Sequence, residues 1–125
     1  MANRTDYTVT ITTTSRELSK REKIMIKDTG DAAGLDQASA DGVQITPDLY
    51  AILAIHNEKG RDNTDYEQIV IIDKEGNKYV TGSSTFIESF LDIAEEMGDE
   101  EFTIKVVRKE SRNYSGKYFL KAALV

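Results

Sequence analysis

The chain has 125 residues, no cysteine, and 22 acidic against 16 basic residues, a net charge of −6. That length suits one domain with its own core, and the lack of cysteine excludes a disulfide framework, a thiol-ligated metal and a cysteine nucleophile. No apolar run is long enough to span a membrane and residues 1–6 have no signal-peptide pattern, so the expected location is the cytoplasm.

Residues 7–14 alternate Tyr7, Val9 and Ile11 with Thr8, Thr10 and Thr12, the period of a half-buried strand. Residues 23–28 set Ile24, Met25 and Ile26 between lysines and read as a second strand returning against the first. A helix over 16–27, capped by Ser15, is the alternative. Arg16, Lys20, Arg21, Lys23 and Lys27 outnumber Glu17 and Glu22 there, giving a weak basic patch. Residues 29–42 are rich in Gly, Ala, Asp and Ser around one large apolar side chain, Leu35, and predict a flexible loop with room for one helical turn around Leu35–Ala38. Residues 49–57 are almost continuously apolar and rich in isoleucine, which favours a buried strand. A charged loop over 58–65 follows.

The pattern then sharpens. Residues 66–73 and 78–82 form a hairpin that turns at Glu75, Gly76 and Asn77. Phe86, Phe90, Ile93 and Met97 recur at helical spacing, with Ile87, Leu91 and Ala94 widening the stripe, so 84–97 is an amphipathic helix. Ser83 or Ser84 caps it and Gly98 stops it. Residues 102–109 and 117–125 make a second hairpin, turning near Ser115 and Gly116. From residue 43 onward the order is strand, strand, strand, helix, strand, strand. That is the order of the oligonucleotide/oligosaccharide-binding (OB) barrel. The expected architecture is mainly β and a single domain over 1–125. It is an OB-like barrel at 43–125, with an added N-terminal hairpin at 7–28 and the loop at 29–42. Element order does not itself give function, but it points to a single-strand groove.

Charge is unevenly distributed. Residues 102–125 hold Lys105, Arg108, Lys109, Arg112, Lys117 and Lys121 against Glu110 alone, a net of +5 that leaves −11 for residues 1–101. Parity divides this last hairpin. Phe102, Ile104 and Val106 share one face with Tyr118, Leu120, Ala122 and Leu124; the opposite face carries Lys105, Val107, Lys109, Lys117, Phe119 and Lys121. A phenylalanine framed by lysines is a platform on which a base stacks while ammonium groups meet phosphates. The competing placement buries Phe119 under the N-terminal hairpin. Tyr114 lies in the polar tip between Arg112 and Lys117, and Tyr79 follows Lys78; both extend the candidate stacking track. Tyr66, Tyr7 and Tyr50 read as ordinary strand tyrosines, and the lone His56 as a strand-end histidine.

Catalytic patterns are thin. Asp62, Asp65, Asp73 and Glu75 cluster in sequence, but the stretch from Asp62 lacks the glycine and terminal glutamate of a calcium loop. With one histidine and no cysteine, a nucleophilic constellation has few members, and the expectation is a non-enzyme without metal or cofactor.

The run Ile69–Tyr79, the helix after it, the run Phe102–Val107 and the run Ser115–Leu120 together resemble the single-stranded DNA-binding proteins of small tailed phages with protein-primed replication. The likeness covers about the C-terminal half. It implies an OB-like barrel that coats displaced strands without sequence preference in the bacterial host cytoplasm, alongside phage or host replication proteins. Tyrosines stack bases in that family. Tyr79 falls on such a position here, and a second family tyrosine falls near His56. The chain also lacks the acidic C-terminal tail of cellular single-strand binders, so recruitment of partners through such a tail is not expected. On this reading Lys78, Lys105, Arg108, Lys109, Arg112, Lys117 and Lys121 meet phosphates, and Tyr79, Tyr114 and Phe119 stack on bases. The alternative is an acidic interaction module that docks on a host protein, and a metal-dependent nuclease ranks third.

Overall fold

A computed structural model describes residues 7–35, 42–57, 64–110 and 118–125. In chain order the elements are β1 (Tyr7–Thr14), α1 (Lys20–Lys27), β2 (Ala33–Gly34), β3 (Gln44–Ile45), β4 (Pro47–Asn57), β5 (Thr64–Asp73), β6 (Lys78–Thr81), α2 (Ser84–Met97), β7 (Ile104–Glu110) and β8 (Tyr118–Leu124). The protein is mainly β. A five-stranded sheet runs β1-β4-β5-β6-β2, antiparallel except for the β2–β6 pair, and a three-stranded antiparallel sheet runs β3-β7-β8. No helix among the described residues is long and apolar enough to cross a membrane.

Two cores lie on opposite faces of the five-stranded sheet. On one face Ile52, Ile69 and Ile71 meet Phe86, Ile87 and Phe90 of α2 and Ile104, Val106, Leu120 and Ala122 of the small sheet. Here Phe90 contacts Tyr50 edge-on at 5.0 Å between ring centres and lies 6.0 Å from both Phe86 and Phe102. Alternation sends Leu49, Ala51, Leu53, Ile55, Val70 and Ile72 to the other face, where Leu18 and Ile26 cover them. Because both faces are buried, the central strands are continuously apolar, as residues 49–55 and 69–72 are.

The β5–β6 hairpin, the β7–β8 pairing and α2 follow the sequence reading, while the expected turn near Ser115 and Gly116 lies outside the described residues. Ser83 caps α2 by accepting from the Phe86 amide, and Gly98, at φ 61°, ends it. At the β5–β6 turn Gly76 has φ 89°, a conformation that a Cβ disfavours. The Asp73 carboxylate accepts from the amides of Glu75 and Asn77 and from Asn77 Nδ2.

Upstream, two expectations fail. Residues 23–28 are not a returning strand: Lys20–Lys27 is helical, and β1 pairs with β4 instead of closing a hairpin. The cap is Ser19, not Ser15. Ser19 and Glu22 form a reciprocal capping box, which satisfies amides that a helix start leaves open. Arg16 holds Glu22 through two further hydrogen bonds, at 3.0 and 2.6 Å. Residues 29–35 of the expected loop are also more ordered than their composition suggested. Ala33 and Gly34 lie parallel to Tyr79 and Val80, and Leu35 is fully buried in the first core. Residues 36–41 of that loop lie outside the described residues.

Residues 44–57 are nearly one strand, interrupted at Thr46. β3 pairs with β7 and β4 with β5, so the chain passes from the small sheet into the large one. Thr46 is fixed there by a 2.7 Å hydroxyl bond to Thr103. Yet neither sheet closes into a barrel. The free edge of β6, which a barrel would bring to β8, is occupied by β2. On β8, the Thr85 hydroxyl donates to the Leu120 carbonyl at 2.7 Å, and the Ala122 amide donates to Ser89 Oγ at 2.8 Å. Side chains of α2 thus bind edge groups that a closing strand would otherwise take, one of the ways a sheet edge is covered.

Candidate nucleic-acid interface

The β7–β8 ribbon sets Lys105 opposite Ala123, Val107 opposite Lys121 and Lys109 opposite Phe119. Since Ile104, Val106, Leu120 and Ala122 are buried, these six residues form the ribbon's outer face. Directly opposite residues have Cβ atoms ~5 Å apart, and residues two apart on one strand are separated by ~7 Å. Phe119 therefore has Lys109 across from it and Lys121 beside it. Phe86 and Phe90 are fully buried and Phe102 packs on the same core, whereas Phe119 is 39% exposed. The placement of Phe119 under an N-terminal hairpin is thereby excluded. Lys105, Lys109 and Lys121 are exposed, and none is paired with a carboxylate among the described residues.

Other candidate residues lie elsewhere. Lys78 is no surface phosphate ligand. Its Nζ donates to the carbonyls of Met25 and Asp28, both at 2.8 Å, and to Asp31 Oδ1 at 2.9 Å, with its side chain only 10% exposed. Three donors meeting three acceptors saturate an ammonium group. Lys78 is a clamp between β6 and the C-terminal end of α1. Tyr79, opposite Ile71, rests half-buried against the first core, away from the ribbon's outer face. Its hydroxyl pKa is raised by burial first and then by the charges of Asp73 and Glu75, surroundings that repel a phosphate. Arg108 is opposite Leu120 and shares the parity of Ile104 and Val106, so it leaves the ribbon on the side away from Lys105 and Lys109. Arg112, Tyr114 and Lys117 lie outside the described residues.

The basic residues of α1 form a separate surface. α1 lies over the face of the large sheet turned away from α2 and the ribbon. It also covers the β5–β6 face carrying Val70 and Ile72. The sequence signal for that cover was the Ser19/Glu22 spacing. Ala123, which completes the ribbon's outer face beside Lys105, follows from the same parity as its neighbours.

His56 Nδ1 pairs with Asp65 across the β4–β5 ladder, in keeping with a strand-end histidine. With Asp73 in the turn and Asp65 on His56, no group of three metal-ligating side chains occurs among the described residues. No family model, curated protein or solved structure matches the chain.

Proposed function

We propose that this is a non-enzymatic, sequence-non-specific single-stranded DNA-binding protein that coats displaced strands in phage DNA replication in the host cytoplasm. The observation that carries the reading is Phe119, an exposed ring between Lys109 and Lys121 on a ribbon whose ammonium groups have no acidic partner among the described residues. A ring offers any base a stacking surface, and lysines meet phosphates without reading sequence, so the pairing suits a lack of sequence preference. The strand shared between two sheets and the helix between β6 and β7 support an OB-like ancestry in which the barrel is left open. The −11 balance of residues 1–101 keeps the rest of the surface off a polyanion.

The test is a fluorescence-anisotropy titration of labelled oligo-dT at low and high salt. Binding is expected at low salt, weakening steeply as salt rises. Affinity that is the same at both salts, or no binding at either, rejects the proposal. The second outcome leaves the acidic docking module as the better account.

A further inference from the structure

β1 is the outer strand of the five-stranded sheet, and no described strand lies on its far side. Its eight residues include seven that are β-branched, with no charge, proline or glycine. Sheet edges in monomers are usually guarded by lysine, proline or a covering segment, because unpaired amides and carbonyls template another strand. β8 is guarded by the α2 hydroxyls. Among the described residues β1 has one such device, a register shift between Ile11 and Thr13, and its first five residues run in unbroken register with β4.

Beside that edge lies a cleft of about 480 Å³ lined by Val9, Ile11, Leu18, Glu17, Lys23 and Lys27. It draws nothing from β4, so it opens at the outer side of β1 and not over the middle of the sheet. An added strand would place alternate side chains beside Val9 and Ile11, extending the second core under α1.

We propose that the occupant is β1 of a second copy, paired antiparallel about a two-fold axis within Val9–Ile11. Self-pairing fits because Tyr7–Ile11, the stretch before the register shift, alternates regularly. The register centred on Thr10 sets Val9 of each copy opposite Ile11 of the other on the α1 side, and Thr10 opposite Thr10 on the other face. A rim holding Glu17 as well as Lys23 and Lys27 suits a self-complementary partner better than a polyanion. The dimer joins the two large sheets into one and leaves both β7–β8 ribbons outside the interface.

Sedimentation equilibrium of the full chain without DNA tests this independently of nucleic-acid binding. The expected mass is twice the 14.0 kDa of one chain. Thr8→Lys with Thr10→Lys changes two exposed threonines and crowds lysines across the axis; it should give single-chain mass with an unchanged circular dichroism spectrum. In the wild type, amide exchange across residues 8–11 should slow as protein concentration rises. A monomeric wild type, a dimer that survives the double substitution, or exchange at 8–11 independent of concentration overturns the proposal.

Discussion

Single residues carry different loads, and substitution should separate them. Phe119→Ala removes the ring but no charge, so it should weaken oligo-dT binding by about 1–3 kcal/mol, or ~5- to 150-fold, in the anisotropy titration. Lys78→Ala removes a charge and should leave that affinity unchanged. It should instead lower folding stability by about 1.5–3 kcal/mol in urea, because two carbonyls at the end of α1 lose a charged donor. Glu22 supplies a pH test. The hydrogen bond from Arg16, followed by the Ser19 amide, lowers its pKa from 4.5 to about 2. A carboxylate with a lowered folded pKa contributes stability above its unfolded value and loses it as pH falls through the folded one. The start of α1 should therefore loosen between about pH 4.5 and pH 2, seen as faster amide exchange, and Glu22→Gln should flatten that dependence. Phe119 was legible in the sequence because strand parity is local. The Lys78 clamp was not, since its acceptors lie 47 to 53 residues upstream and one ammonium among many gives no sign of them.

At the scale of elements, what was legible is what neighbouring residues decide. The stripe Phe86, Phe90, Ile93 and Met97 fixes α2, and Gly76 with Asp73 fixes the β5–β6 turn. The identity of α1 was also local, in the serine and glutamate three residues apart, but three consecutive apolar residues within it mimic a buried strand. Ser19→Ala should accordingly cost ~1 kcal/mol, measured by chemical denaturation. Barrel closure was not local. It depends on which group reaches an edge first, and Thr85 and Ser89 look like any polar residues of a helix until the fold sets them against β8. Thr85→Val with Ser89→Ala leaves a Leu120 carbonyl and an Ala122 amide without these partners. The pair should lose about 1–3 kcal/mol per group in denaturation, with the α2 helical signal intact.

For the whole molecule, the question is whether the two cationic surfaces act as one. The ribbon and α1 cover opposite faces of the large sheet, with a core under each. A short strand lying on the ribbon cannot also touch α1 without passing around the sheet. Net charge cannot reveal this, since lysines at 20, 23 and 27 and those at 105, 109 and 121 contribute equally to a sum. Salt dependence can, because each phosphate neutralised on a single strand contributes ~0.7 to the slope of log affinity against log salt. Three ribbon lysines give a slope of about −2, and all six bases of residues 102–125 would take it to about −4. Lys→Gln at 105, 109 and 121 should lower the slope magnitude by about 2. The same change at 20, 23 and 27 should leave it alone while altering the net charge by an equal amount. Equal effects of the two triples would mean that the strand wraps the molecule, and the ribbon would lose its claim to be the site.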